Sequence, residues 1–146
     1  MNSDYEFKRI LIVDDNPNNL YVLHEVIRLQ FPDIVVVEAN SGIEALTIVN
    51  NEHIDIILMD VKMPDMDGFE TAALIHGRIK TSQIPIVFLT AYNHDSPLLS
   101  EKQELGKLRY LTKPIDETQL VKMLLLYQRY IKLKTADTTL TDKELS

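Results

Sequence analysis

Short apolar, β-rich runs alternate along this chain with segments whose apolar positions recur at helical spacing. The runs are Ile10, Leu11, Ile12 and Val13, then residues 34–37, 54–59, 86–89 and 110–112. After the first run, Asn16 is placed to cap a helix that has Pro17 at its first position. Leu20, Leu23, Ile27 and Phe31 then repeat at helical intervals until Pro32 and Asp33 stop the segment. Residues 34–37 are a β-branched run with the signature of a buried strand. Ser41 begins a second helix over residues 42–50, with Ile43, Leu46 and Val49 on one face. A turn over residues 64–68 leads to a third helix, to about residue 80, and Pro85 introduces the fourth strand. Residues 95–105 read as a shorter, more polar helix, and Asp116 caps a last helix running to about residue 134.

Five strands and five helices in strict alternation predict an α/β fold with a doubly wound parallel sheet, because crossovers are short and right-handed. Its ligand site is expected outside the carboxyl ends of the strands, near the switch in strand order. The length of 146 residues fits one domain over residues 1–134, followed by a polar tail or the start of a linker over 135–146.

Composition narrows the function classes. Hydrophobic content of 45% and charged content of 25% are ordinary globular values. A net charge of −7 argues against direct nucleic-acid binding, which rests on a basic surface. The chain has no cysteine, so disulfides and thiolate metal sites are excluded. Its first residues are polar, and no stretch has the length and apolarity of a membrane span. A soluble, cytoplasmic protein is expected.

The strand ends carry the chemistry. The first run ends in Asp14 and Asp15, the third in Asp60, the fourth in Thr90 and the fifth in Lys113 and Pro114. In a parallel sheet these ends lie side by side. Three neighbouring carboxylates repel one another and raise at least one pKa unless a cation sits between them. The hard-oxygen set suits Mg²⁺, or Mn²⁺, which keeps several waters and uses few protein ligands. A carboxylate beside such an ion can attack a phosphoryl group, while a lysine and a hydroxyl neutralise the phosphoryl oxygens. Asp60 is the best acceptor because it stands alone at a central strand end, whereas Asp14 and Asp15 are paired as ligands would be. Asp65, Met66, Asp67 and Gly68 superficially match a calcium loop, but Met63 and Leu74 fall where its first and last ligands belong. His24, His53, His76 and His94 have no ligand-like spacing.

The stretches ILIVDDNPNNL, IILMDVKMPDMDG, IPIVFLTAY and YLTKPID resemble the signature segments of response-regulator receiver domains of two-component signalling. They occur in that family's order, and the resemblance covers roughly residues 8–133. It implies a flavodoxin-like (βα)5 fold, with Asp60 accepting phosphate from a histidine kinase or a histidine phosphotransfer protein. It further implies Asp15 as a direct Mg²⁺ ligand, Asp14 acting mostly through water, and the backbone carbonyl of Lys62 as a third protein ligand. Thr90 and Lys113 would contact the phosphoryl group, Lys113–Pro114 would be cis, and Tyr110 would be the switch aromatic. The chemistry the resemblance implies is self-catalysed phosphorylation and dephosphorylation rather than turnover of an external substrate.

Departures from the pattern lie mainly before the last strand, where Gly106, Lys107, Leu108 and Arg109 replace the usual small and acidic residues and Pro97 interrupts the preceding segment. Lys62 and Tyr92 flank the expected route of hydrolytic water. The last helix is apolar over a wide arc. Leu120, Met123, Leu124, Tyr127 and Ile131 suit the core, while Val121, Leu125, Leu126 and Tyr130 point elsewhere, toward a second copy, an output domain or a continuing helix. The alternative function is a receiver-like dimerisation or interaction module with vestigial phosphorylation. An aspartyl-phosphate phosphatase fits poorly, because Lys62 stands where a second acid is needed.

Overall fold

The computed structural model describes residues 7–91 and 110–145, with side chains given through residue 131. Its elements are β1 (Arg9–Val13), α1 (Pro17–Gln30), β2 (Val35–Ala39), α2 (Gly42–Asn51), β3 (Ile56–Asp60), α3 (Gly68–His76), a 3-10 turn (Ile79–Thr81), β4 (Ile86–Thr90), β5 (Tyr110–Thr112) and α4 (Glu117–Leu145). The strands form one parallel sheet in the order β2-β1-β3-β4-β5. This is the doubly wound parallel sheet anticipated from the alternation, in the flavodoxin-like order that the resemblance implies. The strand order reverses at β1 and β3, which carry the three aspartates at their carboxyl ends.

Alternation along each strand divides the core into two layers. Ile10, Ile12, Ile56, Leu58, Val87 and Leu89 face α1 and α4, where they meet Leu20, Leu23, Ile27, Leu120, Leu124 and Tyr127. Leu11, Val13, Ile57, Met59, Ile86 and Phe88 face α2 and α3, against Ala45, Val49, Ala72 and Ile75. Every residue of β3 and β4 is buried. Each such aliphatic side chain stabilises the fold by about 1.5–3 kcal/mol relative to exposure. The face of the last helix expected to pack does so, and Leu125, Leu126 and Tyr130 remain exposed.

The caps follow the sequence signals. The Asn16 side chain accepts from the Asn18 N–H, Ser41 from Glu44, and Asp67 and Glu70 cap each other's backbone at the start of α3. Asp116 accepts from the Gln119 N–H at 3.2 Å.

Four expectations need correction. β2 is not a buried strand: it lies at the sheet edge, and Val35 is 49% exposed. A β-branched run records strand preference, but an edge position removes half of the covering neighbours. In α2, Ile43 is exposed and the buried stripe is Gly42, Ala45 and Val49. Gly42 lies so close to Thr71 and Met66 that the start of α2 turns its small residue toward α3. α3 ends at His76 rather than near residue 80, with Gly77 at its cap and the 3-10 turn redirecting the chain toward β4. The last helix extends beyond residue 134 to Leu145, and its 29 residues contain no glycine or proline to stop it. The expected helix over 95–105, with Pro97, Tyr92 and the 106–109 stretch, lies outside the described residues.

Candidate functional site

The backbone ladders continue one step past each strand and deliver the reactive side chains to one level. The Asp14 N–H donates to the Ala39 carbonyl at 3.1 Å, Val61 to Leu89 at 3.0 Å, and Lys113 to Thr90 at 2.8 Å. By strand alternation, Asp14 and Asp60 follow Ile12 and Leu58 onto the same side of the sheet, and Asp15 has the opposite parity. Asp14 and Asp60 are buried, at 1% and 5% exposure, while Asp15 is exposed.

Asp14, Asp15 and Asp60 each offer a carboxylate oxygen within 4.8 Å of the others, and they form the acidic cluster found among the described residues. The Lys113 ammonium donates to Asp60 Oδ1 at 2.7 Å and stands 3.6 Å from Asp14 Oδ2. Asp14 also accepts from the Asn16 N–H at 2.9 Å and from Asn19 Nδ2 at 3.1 Å.

Burial raises the pKa of Asp60, and the charges of Asp14 and Asp15 add to that rise against the pull of Lys113. For Lys113, burial acts downward, but its hydrogen bond to Asp60 and the charges of Asp14 and Asp60 outweigh it, so its pKa is raised. Asp14 and Asp60 thus share one ammonium, with the third carboxylate, Asp15, beside them. The donor set is hard oxygen with a partly open side at Asp15, and it fits a hydrated divalent cation such as Mg²⁺.

Thr90 ends β4, buried at 2% exposure and in register with Thr112. Tyr110 is in register with Phe88, and their ring centroids lie 5.6 Å apart. Phe69, in the first turn of α3, is 4.8 Å from Phe88 on the centroid measure. A row of three rings therefore runs from α3 to the last strand, with Tyr110 half-buried at its end. Lys62 sits with an exposed side chain on the loop leaving β3, in which Asp65 adopts a left-handed φ of 70°. The Lys113–Pro114 peptide is cis.

Two site residues escaped the sequence reading. Asn19 reaches back to Asp14; an amide five positions after an acid, one turn into a capped helix, was the available signal. Gly68, the last residue of the expected turn, has a tighter role. A Cβ there would lie 2.3 Å from the Asp60 carbonyl oxygen, and its N–H donates to Val61 at 2.8 Å. The start of α3 is thereby pressed against the backbone of the central aspartate. His24, His53 and His76 pair with Glu38, Asp55 and the Ile84 carbonyl, away from the acidic cluster, and His94 lies outside the described residues.

The family described as "Response regulator receiver domain" matches residues 10–125. The sensor protein GacS of Pseudomonas syringae pv. syringae is 39% identical over 123 residues, covering 80% of this chain and 13% of GacS. Protein PilH of Pseudomonas aeruginosa is 34% identical over 116 residues, covering 80% of this chain and 93% of PilH. Among solved structures, the chemotaxis protein CheY4 of Vibrio cholerae superposes with a TM-score of 0.69 at 30% identity, covering 83% of this chain and 98% of that one. Among the described residues, no helix is long and apolar enough to cross a membrane.

Proposed function

The chain belongs to the response regulator receiver domain family, and on that premise we propose that Asp60 is its phosphoacceptor, with Mg²⁺ held at Asp14, Asp15 and Asp60. The family membership makes it a phosphoacceptor signalling switch of two-component phosphorelays. The observation that carries the assignment is the placement of Asp60: at a central strand end, 2.7 Å from the Lys113 ammonium and within the cluster completed by Asp14 and Asp15.

The phosphoryl group would come from a phosphohistidine on a histidine kinase or a histidine phosphotransfer protein. The phosphorus–nitrogen bond breaks, leaving its electron pair on the imidazole, as a bond forms between phosphorus and an Asp60 carboxylate oxygen. Lys113 then exchanges its carboxylate partner for a phosphoryl oxygen, and the Thr90 hydroxyl donates to another. Asp15 and the Lys62 carbonyl would hold the ion directly, with Asp14 acting mostly through water. When bound, Mg²⁺ neutralises charge on the phosphoryl oxygens during transfer.

Readout starts from Thr90. Movement of its hydroxyl toward the phosphoryl group vacates space beside β5, and Tyr110 at the end of the Phe69–Phe88 row responds. The exposed Leu125, Leu126 and Tyr130 of α4 offer the output surface, for a second copy or an output domain. The chain spans 13% of GacS, so the activity of any longer protein built around it is part of this proposal. The vestigial interaction module has less in its favour, because a complete acid cluster and its lysine are retained.

Transfer from a labelled phosphohistidine donor tests the assignment. Label should reach the wild-type chain only with Mg²⁺ and fail to reach Asp60→Asn; transfer to Asp60→Asn at the wild-type rate would place the acceptor elsewhere.

A further inference from the structure

Asp14 is almost completely withdrawn from water, so its carboxylate depends on protein donors. One oxygen, Oδ1, takes the Asn16 N–H at 2.9 Å. Among the described residues, the other, Oδ2, has Asn19 and Lys113 beside it. Asn19 Nδ2 reaches it at 3.1 Å, and Lys113 Nζ stands at 3.6 Å, beyond hydrogen-bond length. Lys113 instead donates to Asp60 at 2.7 Å.

We propose that Asn19 is a positioning residue of the acid site, fixing Asp14 and thereby leaving Lys113 to Asp60. The inference rests on the reading of Asp14, Asp15 and Asp60 as a divalent-cation site.

The backbone makes Asn19 a stiff support. Leu20 and Leu23 anchor the same helix in the core. The Asn16 side chain caps α1 through the Asn18 N–H at 2.8 Å, so its own N–H serves Asp14. The segment from Asp14 to Asn19 therefore closes on itself: the acid is held at one oxygen by the residue before the helix and at the other by a residue one turn inside it.

Removing the Asn19 amide leaves Oδ2 buried without its 3.1 Å donor, and the Lys113 ammonium stands 3.6 Å away. Closing that 3.6 Å gap pulls the ammonium from Asp60 or rotates the Asp14 carboxylate off its present plane. Either movement changes the spacing of the acid cluster that would hold the cation. Groups that orient metal-binding carboxylates in this way typically matter by about 10- to 100-fold in metal affinity.

Isothermal titration of the full chain with Mg²⁺ tests this. Asn19→Ala and the volume-preserving Asn19→Leu should each bind Mg²⁺ about 10- to 100-fold more weakly than wild type. In an Asp14→Asn background, Asn19→Ala should cause no further loss, because the effect passes through Asp14. Unchanged Mg²⁺ affinity in the folded Asn19 variants overturns the proposal, as does an equal loss in the Asp14→Asn background. If the wild-type chain itself fails to bind Mg²⁺, the cation reading falls and this inference falls with it. A wild type that binds, beside Asn19 variants that bind as well, removes the inference alone.

Discussion

Lys113 donates to Asp60 at 2.7 Å, yet Asp60 still holds its proton more tightly than an ordinary carboxylic acid. Burial is the largest cause, and the neighbouring charges of Asp14 and Asp15 add to it. One ammonium does not neutralise the pocket. The resulting site favours whatever brings further positive charge, or whatever removes the Asp60 charge.

The first prediction follows from the sign of that shift. A carboxyl whose folded pKa lies above its unfolded value contributes stability that is present at low pH and is lost as pH rises through the folded value. Without divalent ions, Asp60→Asn should therefore melt above wild type at pH 7. The expected gap has that sign, with Asp60→Asn above wild type. It should close as the pH falls below the ordinary carboxylate range, where Asp60 is protonated in both states. Thermal melts of both proteins across pH measure it.

A second prediction concerns the cation. Mg²⁺ that binds only the folded chain stabilises it by mass action, by about 2.7 kcal/mol at a hundred times the dissociation constant. Wild type should show a rise in Tm that grows with the logarithm of Mg²⁺ concentration. Asp15→Ala should show a much smaller rise at equal concentration, because it removes the exposed carboxylate on the open side. Equal rises in the two proteins would exclude Asp15 as a ligand.

Gly68 gives a third. An added methyl would meet the Asp60 carbonyl oxygen at 2.3 Å, and backbone cannot yield as a flexible side chain does. Gly68→Ala should cost about 1–3 kcal/mol, the range for overpacking a close contact. It should also slow phosphorylation, since the strain falls on the residue proposed as acceptor. Ala72→Gly, further along the same helix, provides a comparison in which helix stability falls by about 1 kcal/mol without that contact. Urea melts together with phosphorylation rates separate the two effects.

What could be read from the sequence was what depends on local pattern. The runs ending at Val13, Met59 and Leu89, the caps at Asn16, Ser41 and Asp116, and the gathering of Asp14, Asp15, Asp60 and Lys113 all follow from alternation, cap chemistry and parallel strand ends. What could not be read depends on neighbours distant in sequence. The exposure of Val35 follows from β2 being at an edge, and the turning of Ile43 to solvent follows from Gly42 meeting Thr71. Asn19 and Gly68 act through single contacts, 3.1 Å to Asp14 and a close backbone approach to Asp60, for which no periodicity exists. The continuation of α4 past residue 134 shows the reverse case: a polar stretch without breakers simply prolongs a helix already nucleated.

The central claim is that Asp60 is the residue that receives phosphate. Its most direct test is the intact mass of the chain after incubation with acetyl phosphate, with and without Mg²⁺. The account predicts a gain of one phosphoryl group in wild type, dependent on Mg²⁺ and absent from Asp60→Asn. No adduct in wild type, from acetyl phosphate or from a phosphorylated histidine donor, or an undiminished adduct in Asp60→Asn, would contradict it.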